Sequence, residues 1–195
     1  MFKVSFPDGK TIEFEFPIKC LDLLNYFEKA EGTIVAFKVN NEVFSLNRVV
    51  DVDAKVKAVF LDTREGAEIY RRTLCLLLAA ASKSLYPSLR LLISHSLGYS
   101  YFYTFEGEKS DQIDLQDIEK KMREMVACNL PIKTYWLSYE KALSDFSTSN
   151  QPDTHKLIVH TSKPRIMVNR LGDYQDLYFQ PVLPTIGDVK FFELK

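Results

Sequence analysis

The chain has few cysteines and almost no net charge. Its 195 residues include three cysteines, Cys20, Cys75 and Cys128, which are widely spaced and form no Cys-x-x-Cys pair. This spacing predicts neither a disulfide framework nor a zinc ribbon. Low cysteine usage of this kind is typical of a reducing compartment, so we expect a cytoplasmic protein. The formal net charge of -1 gives no general support for binding to a polyanion.

Long apolar runs and common catalytic motifs are also missing. The longest apolar run, residues 74–81, is far too short to span a bilayer, and the N-terminus does not resemble a signal peptide. We therefore expect no membrane contact. Gly9-Lys10-Thr11 superficially resembles a phosphate-binding loop, but Val4 stands where that loop needs its first glycine. The sequence has no Gly-x-Ser-x-Gly elbow and no His-Glu-x-x-His helix.

The first 62 residues have the pattern of a β-grasp domain. Apolar and polar residues alternate on both sides of the turn Pro7-Asp8-Gly9-Lys10, which predicts a hairpin with one buried face. Apolar residues at helical spacing then predict a helix over residues 19–30. Strands are predicted at 34–39 and 42–46 around Asn40-Asn41, and again at 56–61. A hairpin, one helix and further strands follow the order of ubiquitin-like folds.

Residues 63–195 are predicted to form a second, α+β domain. A long helix over residues 67–85 carries so little polar surface that burial on most sides is expected. Asp114 and Ser138 are predicted to cap two further helices. The remaining predicted elements are a hairpin of strands 91–93 and 101–105 around residues 95–100, a strand at 132–137, a polar loop at 147–154, and strands at 156–160, 164–169 and 189–194.

Several motifs in order along the chain resemble the N-terminal region of threonyl-tRNA synthetases. Residues 1–62 resemble its TGS domain, and residues 63–195 resemble the second additional, editing-type domain that follows. The motifs that carry the resemblance are Ala36-Phe37-Lys38-Val39-Asn40-Asn41-Glu42, Glu65-Gly66, Lys83-Ser84-Leu85-Tyr86-Pro87, Asn129-Leu130-Pro131-Ile132, Leu137-Ser138-Tyr139-Glu140-Lys141-Ala142-Leu143 and Gly172-Asp173-Tyr174-Gln175-Asp176-Leu177. The resemblance implies an α+β chain in which a long buried helix packs on an antiparallel sheet.

The polar side chains of the editing site are replaced in this sequence. The resemblance places two histidines, one helical turn apart, on the long helix, where this chain has Arg72 and Leu76. It places a cysteine and a further histidine at Tyr178 and Val182. Leucine and valine can neither ligate a metal nor relay a proton, so we expect no metal site and no catalytic residue.

A second resemblance points to bacterial nucleoside kinases similar to uridine kinase and phosphoribulokinase, which share this N-terminal architecture. His95-Ser96-Leu97-Gly98 before Tyr101-Phe102-Tyr103 is similar to their version of the second domain. It implies a parent ATP-dependent kinase whose P-loop domain follows Lys195. The chain itself would then need no cofactor, ATP and Mg²⁺ belonging to that C-terminal kinase domain, which would also be a docking partner.

Ten residues are candidates for binding a ligand. They are Arg72, His95, Ser96, Tyr99, Tyr101, Tyr103, Arg170, Asp173, Asp176 and Tyr178. Each has a plainer interpretation: a histidine in a turn is more often a cap or a surface residue, strand tyrosines commonly pack, and turns are commonly charged.

The sequence leaves three hypotheses. The first is a non-catalytic accessory region of a uridine kinase-like protein that binds a small molecule or RNA between the long helix and the His95 hairpin. The alternative is a divergent aminoacyl-tRNA editing hydrolase, or a tRNA- or RNA-binding module, related to threonyl-tRNA synthetase, in which Arg72, His95 and Tyr178 would act. The third is a structural unit that forms a homodimer.

Overall fold

A computed structural model of the chain describes residues 1–27, 31–98, 100–108 and 110–195. The chain forms two compact units. The first comprises Met1–Thr73 with Gln180–Pro184, and the second comprises Leu74–Phe179 with Thr185–Lys195. The α+β class predicted from the sequence is confirmed. The boundary predicted between residues 62 and 63 stays a prediction.

The first unit is built on a mixed five-stranded sheet in the order β2-β1-β7-β4-β5. Strand β1 pairs antiparallel with β2 and parallel with β7, and β4 pairs antiparallel with β7 and β5. A small antiparallel pair, β3 with β6, lies beside it. The strands are β1 (Phe2–Ser5), β2 (Thr11–Phe14), β3 (Ile18–Lys19), β4 (Ile34–Val39), β5 (Glu42–Ser45), β6 (Val49–Val50) and β7 (Ala54–Phe60).

Local turn chemistry explains both hairpins of this sheet. Gly9 closes the β1–β2 turn at φ 85°, and Asn40 and Asn41 close the β4–β5 turn at φ 46° and 73°. Positive φ at both central residues matches the right-handed twist of the strands, and asparagine tolerates it. The strands then bury one face, with Val4, Phe37 and Val56 in the core.

The first helix is shorter than predicted. Helix α1 spans Cys20–Leu23, and a 3₁₀ turn over Leu24–Tyr26 follows it. The buried pair in α1 is Cys20 and Leu23, whereas Leu21 is exposed, so the apolar face is one turn long. The last residues of the predicted helix, 28–30, lie outside the described residues.

The second unit begins within helix α2 (Arg64–Leu85), which starts three residues earlier than predicted. Its described residues form two sheets: the hairpin of β8 and β9, and the antiparallel three-stranded order β10-β11-β12. Its other elements are β8 (Arg90–Leu97), β9 (Ser100–Glu106), α3 (Leu115–Ala127), β10 (Ile132–Ser138), α4 (Tyr139–Thr148), α5 (Pro152–Val159), β11 (Arg165–Leu171) and β12 (Tyr174–Asp176).

Both predicted N-caps are confirmed. The Asp114 carboxylate accepts a hydrogen bond from the backbone N–H of Gln116, at 2.8 Å, at the start of α3. The Ser138 hydroxyl accepts one from the backbone N–H of Lys141, at 3.2 Å, at the start of α4. Each cap satisfies a donor that a helix leaves unpaired in its first turn.

Two predicted strands are wrong. Residues 156–159 belong to helix α5 and His160 caps its C-terminus, because Pro152 at its N-terminus favours helix initiation and Thr154 and Ile158 bury one face at i, i+4 spacing. The predicted polar loop therefore shrinks to the three residues between α4 and α5. Residues 189–194, all within the described part of the chain, form no strand. Instead the backbone N–H of Leu194 donates to Glu119 on α3.

No helix among the described residues is both long and apolar enough to cross a membrane.

Candidate functional site

Arg72 and Thr73 on helix α2 hold the segment of residues 180–184. The Arg72 guanidinium donates a hydrogen bond to the carbonyl oxygen of Pro181. The Thr73 hydroxyl donates to the carbonyl oxygen of Ile69 at 2.8 Å and accepts from the backbone N–H of Leu183 at 2.9 Å. Thr73 is fully buried. Two adjacent side chains thus fix a segment more than 100 residues away in the chain.

Positions 76 and 182, which the resemblance assigns to histidines, carry buried apolar side chains. Leu76 has no solvent exposure, and Val182 is 4% exposed. Neither can donate a proton, accept one or bind an ion. Among the described residues, no group of three or more His, Cys, Asp or Glu side chains is arranged to hold a metal ion.

The His95 hairpin is longer and tighter than predicted. His95 and Ser96 lie in strand β8, because strand pairing extends to Leu97 and Ser100, with a register shift between Ile93 and Ser96. The predicted loop over residues 95–100 is therefore wrong for 95–97 and 100. The His95 ring is exposed and stacks on Phe102 across the hairpin, with centroids 5.5 Å apart.

The tyrosines of the hairpin differ in their environment. Tyr101 is exposed. Tyr103 is half-buried and donates a hydrogen bond to the carbonyl oxygen of Lys195 at 3.3 Å. Burial raises the pKa of Tyr103, although that hydrogen bond lowers it. Tyr99, the third tyrosine among the ligand-binding candidates of this hairpin, lies outside the described residues.

The turn around Gly172 brings Arg170 and Asp173 together. Gly172 adopts φ 60°, and the Arg170 guanidinium donates to its carbonyl oxygen at 2.8 Å and contacts the Asp173 carboxylate at 3.4 Å. Asp173 is fully exposed. An exposed ion pair of this kind closes a turn and contributes little to stability.

Asp176, the last residue of strand β12, lies in a polar network. Its carboxylate accepts hydrogen bonds from Tyr174 Oη, Thr154 Oγ1 and the backbone N–H of Leu177, all within 2.8 Å. Burial, and next the charge of Asp176, raise the pKa of Tyr174 well above its ordinary value. Gln151 donates to Tyr174 Oη at 3.3 Å. The contacts of Asp176 join α5 to β12.

Tyr178 lines a surface groove in the second unit that the sequence did not predict. This aromatic groove has a cavity volume of about 190 Å³. Its walls come from three parts of the chain: β10, the end of α5 with the start of β11, and the residues after β12. The lining includes Trp136, Leu157, Lys163, Arg165, Tyr178 and Phe179.

The aromatic groove combines exposed rings with cations. Trp136 is 58% exposed and Phe179 is 74% exposed. The Arg165 guanidinium lies over the Trp136 ring, 5.5 Å from its centroid. Among the described residues that line the groove there is no aspartate or glutamate. One signal was visible in the sequence: residues 154–172 contain four lysines and arginines and no acidic residue.

The chain is homologous to the N-terminal region, about 200 residues, of threonine–tRNA ligases. It is 32% identical over 198 residues to the threonine–tRNA ligase of Thermotoga petrophila. The aligned region covers 98% of this chain and 30% of that relative. It is 30% identical over 201 residues to that of Clostridium kluyveri, covering 100% of this chain and 31% of the relative. The chain thus spans about a third of the length of these relatives. No protein-family model matches it.

Proposed function

We propose that this chain is a tRNA- or RNA-binding module, related to the N-terminal region of threonine–tRNA ligases, that does not hydrolyse aminoacyl-tRNA. The observation that carries the proposal is the fixed segment of residues 180–184. One of its anchors, Arg72, and the buried side chains of Leu76 and Val182 stand at positions where the resemblance puts polar groups of a hydrolytic site.

The side chains at these positions lack the chemistry of hydrolysis. Attack of water on an ester needs a group that accepts a proton, or a metal that activates the water. An arginine guanidinium does not give up its proton in proteins, and leucine and valine have no polar atom. The Thr73 hydroxyl is buried and already makes two hydrogen bonds. Arg72 and Thr73 therefore serve to hold residues 180–184 in place, and Leu76 and Val182 are buried apolar side chains.

The RNA-binding half of the proposal rests on the relatives. They are named for joining threonine to tRNA, and the homology extends over nearly the whole of this chain. The acid-free run of residues 154–172 supplies cations for phosphate contacts in a chain whose formal net charge is -1.

Two measurements on the full chain test the two halves separately. The first incubates it with threonine-acceptor tRNA mischarged with serine, with and without zinc, beside the aligned region of a threonine–tRNA ligase as positive control. We expect no deacylation above the buffer rate. The second measures binding of fluorescently labelled tRNA by anisotropy, and we expect binding that weakens with salt. Hydrolysis above the buffer rate would contradict the claim that the chain does not hydrolyse aminoacyl-tRNA. Absence of tRNA binding would contradict the claim that it binds tRNA.

The uridine kinase hypothesis has weaker support. It rests on the resemblance of His95-Ser96-Leu97-Gly98, and the comparisons provide no link to a uridine kinase. The exposed stack of His95 on Phe102 gives it a direct test. Under this hypothesis uridine or ATP would shift the NMR resonances of the His95 ring. Under the proposal favoured above, neither compound shifts them.

A further inference from the structure

We infer that the aromatic groove is a binding site for an unpaired nucleotide of an RNA strand, held by stacking on Trp136 and Phe179 with its phosphates near Lys163 and Arg165. This inference deepens the proposed function and rests on it, because it names the part of an RNA that the module would contact. Of the four positions that the resemblance assigns to the editing site, Tyr178 lines this groove, and Arg72, Leu76 and Val182 are not among its lining residues.

The exposed rings are the first step of the argument. A tryptophan that is 58% exposed and a phenylalanine that is 74% exposed present large apolar faces to water within one groove. Such faces normally become buried in the core or in an interface. Every nucleobase has a flat π-face, so aromatic side chains bind unpaired bases without strict sequence preference.

The charge of the groove favours a polyanion. Lys163 and Arg165 stand on its rim, and the described residues that line it include no carboxylate. Arg165 is already held over the Trp136 ring, where a guanidinium can stack beside a base or contact its phosphate. An apolar peptide would satisfy the rings but would leave these cations without counter-charges.

The size of the groove selects a single flat group. A cavity of about 190 Å³ is smaller than the roughly 300–1,000 Å³ of pockets that enclose drug-sized ligands. It has room for one ring system with the rest of the strand outside. Bases within a duplex are stacked on each other and cannot enter, so we expect a preference for single-stranded RNA or for unpaired positions of a folded RNA.

The chain carries its own reporter for this site. Trp136 is the single tryptophan of the sequence, so all intrinsic tryptophan fluorescence comes from the groove. We expect a short single-stranded oligouridylate or oligoadenylate to quench it saturably, and the matched RNA duplex to quench it much less. Quenching by the duplex equal to that by the single strands would overturn the assignment to an unpaired base.

Variants separate stacking from charge. Trp136→Ala and Phe179→Ala are each expected to weaken binding of a labelled oligonucleotide about 5- to 150-fold, the equivalent of about 1–3 kcal/mol per stacked base. Phe16→Ala is the matched control, since Phe16 is 77% exposed, belongs to the first unit and is not among the residues that line the groove. Lys163→Gln and Arg165→Gln should each lower the salt slope of binding by about one.

The outcomes for the groove and for the proposed function differ. If labelled tRNA binds and Trp136→Ala binds it as well as the unaltered chain, the groove inference is wrong and the proposed function stands. If RNA oligonucleotides quench Trp136 but tRNA does not bind, the groove inference stands and the tRNA-binding part of the proposed function is wrong. If an amphipathic peptide shifts the fluorescence and no RNA does, the groove is a protein-binding site and the inference is overturned.

Discussion

The Arg72 guanidinium donates a hydrogen bond to the carbonyl oxygen of Pro181, which follows it by 109 residues. The next residue, Thr73, receives the backbone N–H of Leu183 on its buried hydroxyl. These two polar side chains therefore hold residues 180–184 in place within the first unit. A structural role of this kind can be measured as a loss of stability when the side chain is replaced.

Replacing Thr73 by valine should destabilise the first unit. Valine keeps the size of threonine but leaves the N–H of Leu183 without its acceptor, which costs about 1–3 kcal/mol. Urea denaturation should show this loss, and amide hydrogen exchange at Leu183 should become faster. Thr11→Val is the control, since Thr11 is exposed and should change stability by about 0.5 kcal/mol or less. Unchanged hydrogen exchange at Leu183 would show that its hydrogen bond to Thr73 does not stabilise this segment.

Asp176 should prove to be a structural residue. Asp176→Ala removes the acceptor of three hydrogen bonds, from Tyr174, Thr154 and Leu177, and should cost at least about 2 kcal/mol. The control is Asp173→Ala, because Asp173 is fully exposed and should matter by about 0.5 kcal/mol or less. Denaturant midpoints of the two variants give the comparison. Equal midpoints would return Asp176 to the set of ligand-binding candidates.

Gly66 should not tolerate a side chain. A Cβ atom there would lie 2.0 Å from the carbonyl oxygen of Phe60, which is far inside the contact distance. Alanine favours a helix over glycine by about 0.5–1 kcal/mol, but the displacement of packed backbone costs about 1–3 kcal/mol and should prevail. Thermal unfolding of Gly66→Ala should show the loss. Glu68→Ala, which removes an exposed ion pair on the same helix, should change little.

The contact between Glu119 and Leu194 should depend on pH. Hydrogen bonds from the Leu194 N–H and from Arg123 hold the pKa of the Glu119 carboxyl below its ordinary value of 4.5. Because the folded pKa is lowered, this stabilisation is complete above pH 4.5 and is lost as the pH falls through the folded pKa. The Leu194 amide resonance should report that transition in an NMR titration. In Glu119→Gln this transition should be missing. A Leu194 amide resonance that does not change with pH in the unaltered chain would show that Glu119 does not control this contact.

The elements that the sequence predicted well are those with local causes. Strands β1, β2, β4 and β5 follow from alternation and from turn residues that accept positive φ, and two helix starts follow from Asp114 and Ser138. Helix α5 was missed because an apolar run in residues 156–160 also fits a strand. Its burial at Thr154 and Ile158 became visible only with the packing of the second unit.

The candidate site was harder to predict, because its determinants are distant in sequence. The replaced positions Arg72, Leu76 and Val182 could be found by resemblance, but the bond from Arg72 to Pro181 could not. The aromatic groove combines Trp136, Arg165 and Phe179 from three segments of the chain. No local sequence pattern predicts that these three side chains lie close together.

The way residues 180–184 complete the first unit affects how the protein is made. At a synthesis rate of about 5–20 residues per second, Pro181 leaves the ribosome roughly 5–20 s after Arg72. During that interval the nascent chain holds a β-sheet unit that still lacks its closing segment. Chaperones and proteases that inspect growing polypeptides would therefore meet this unit unfinished, and its maturation must wait for nearly the whole second unit to be translated.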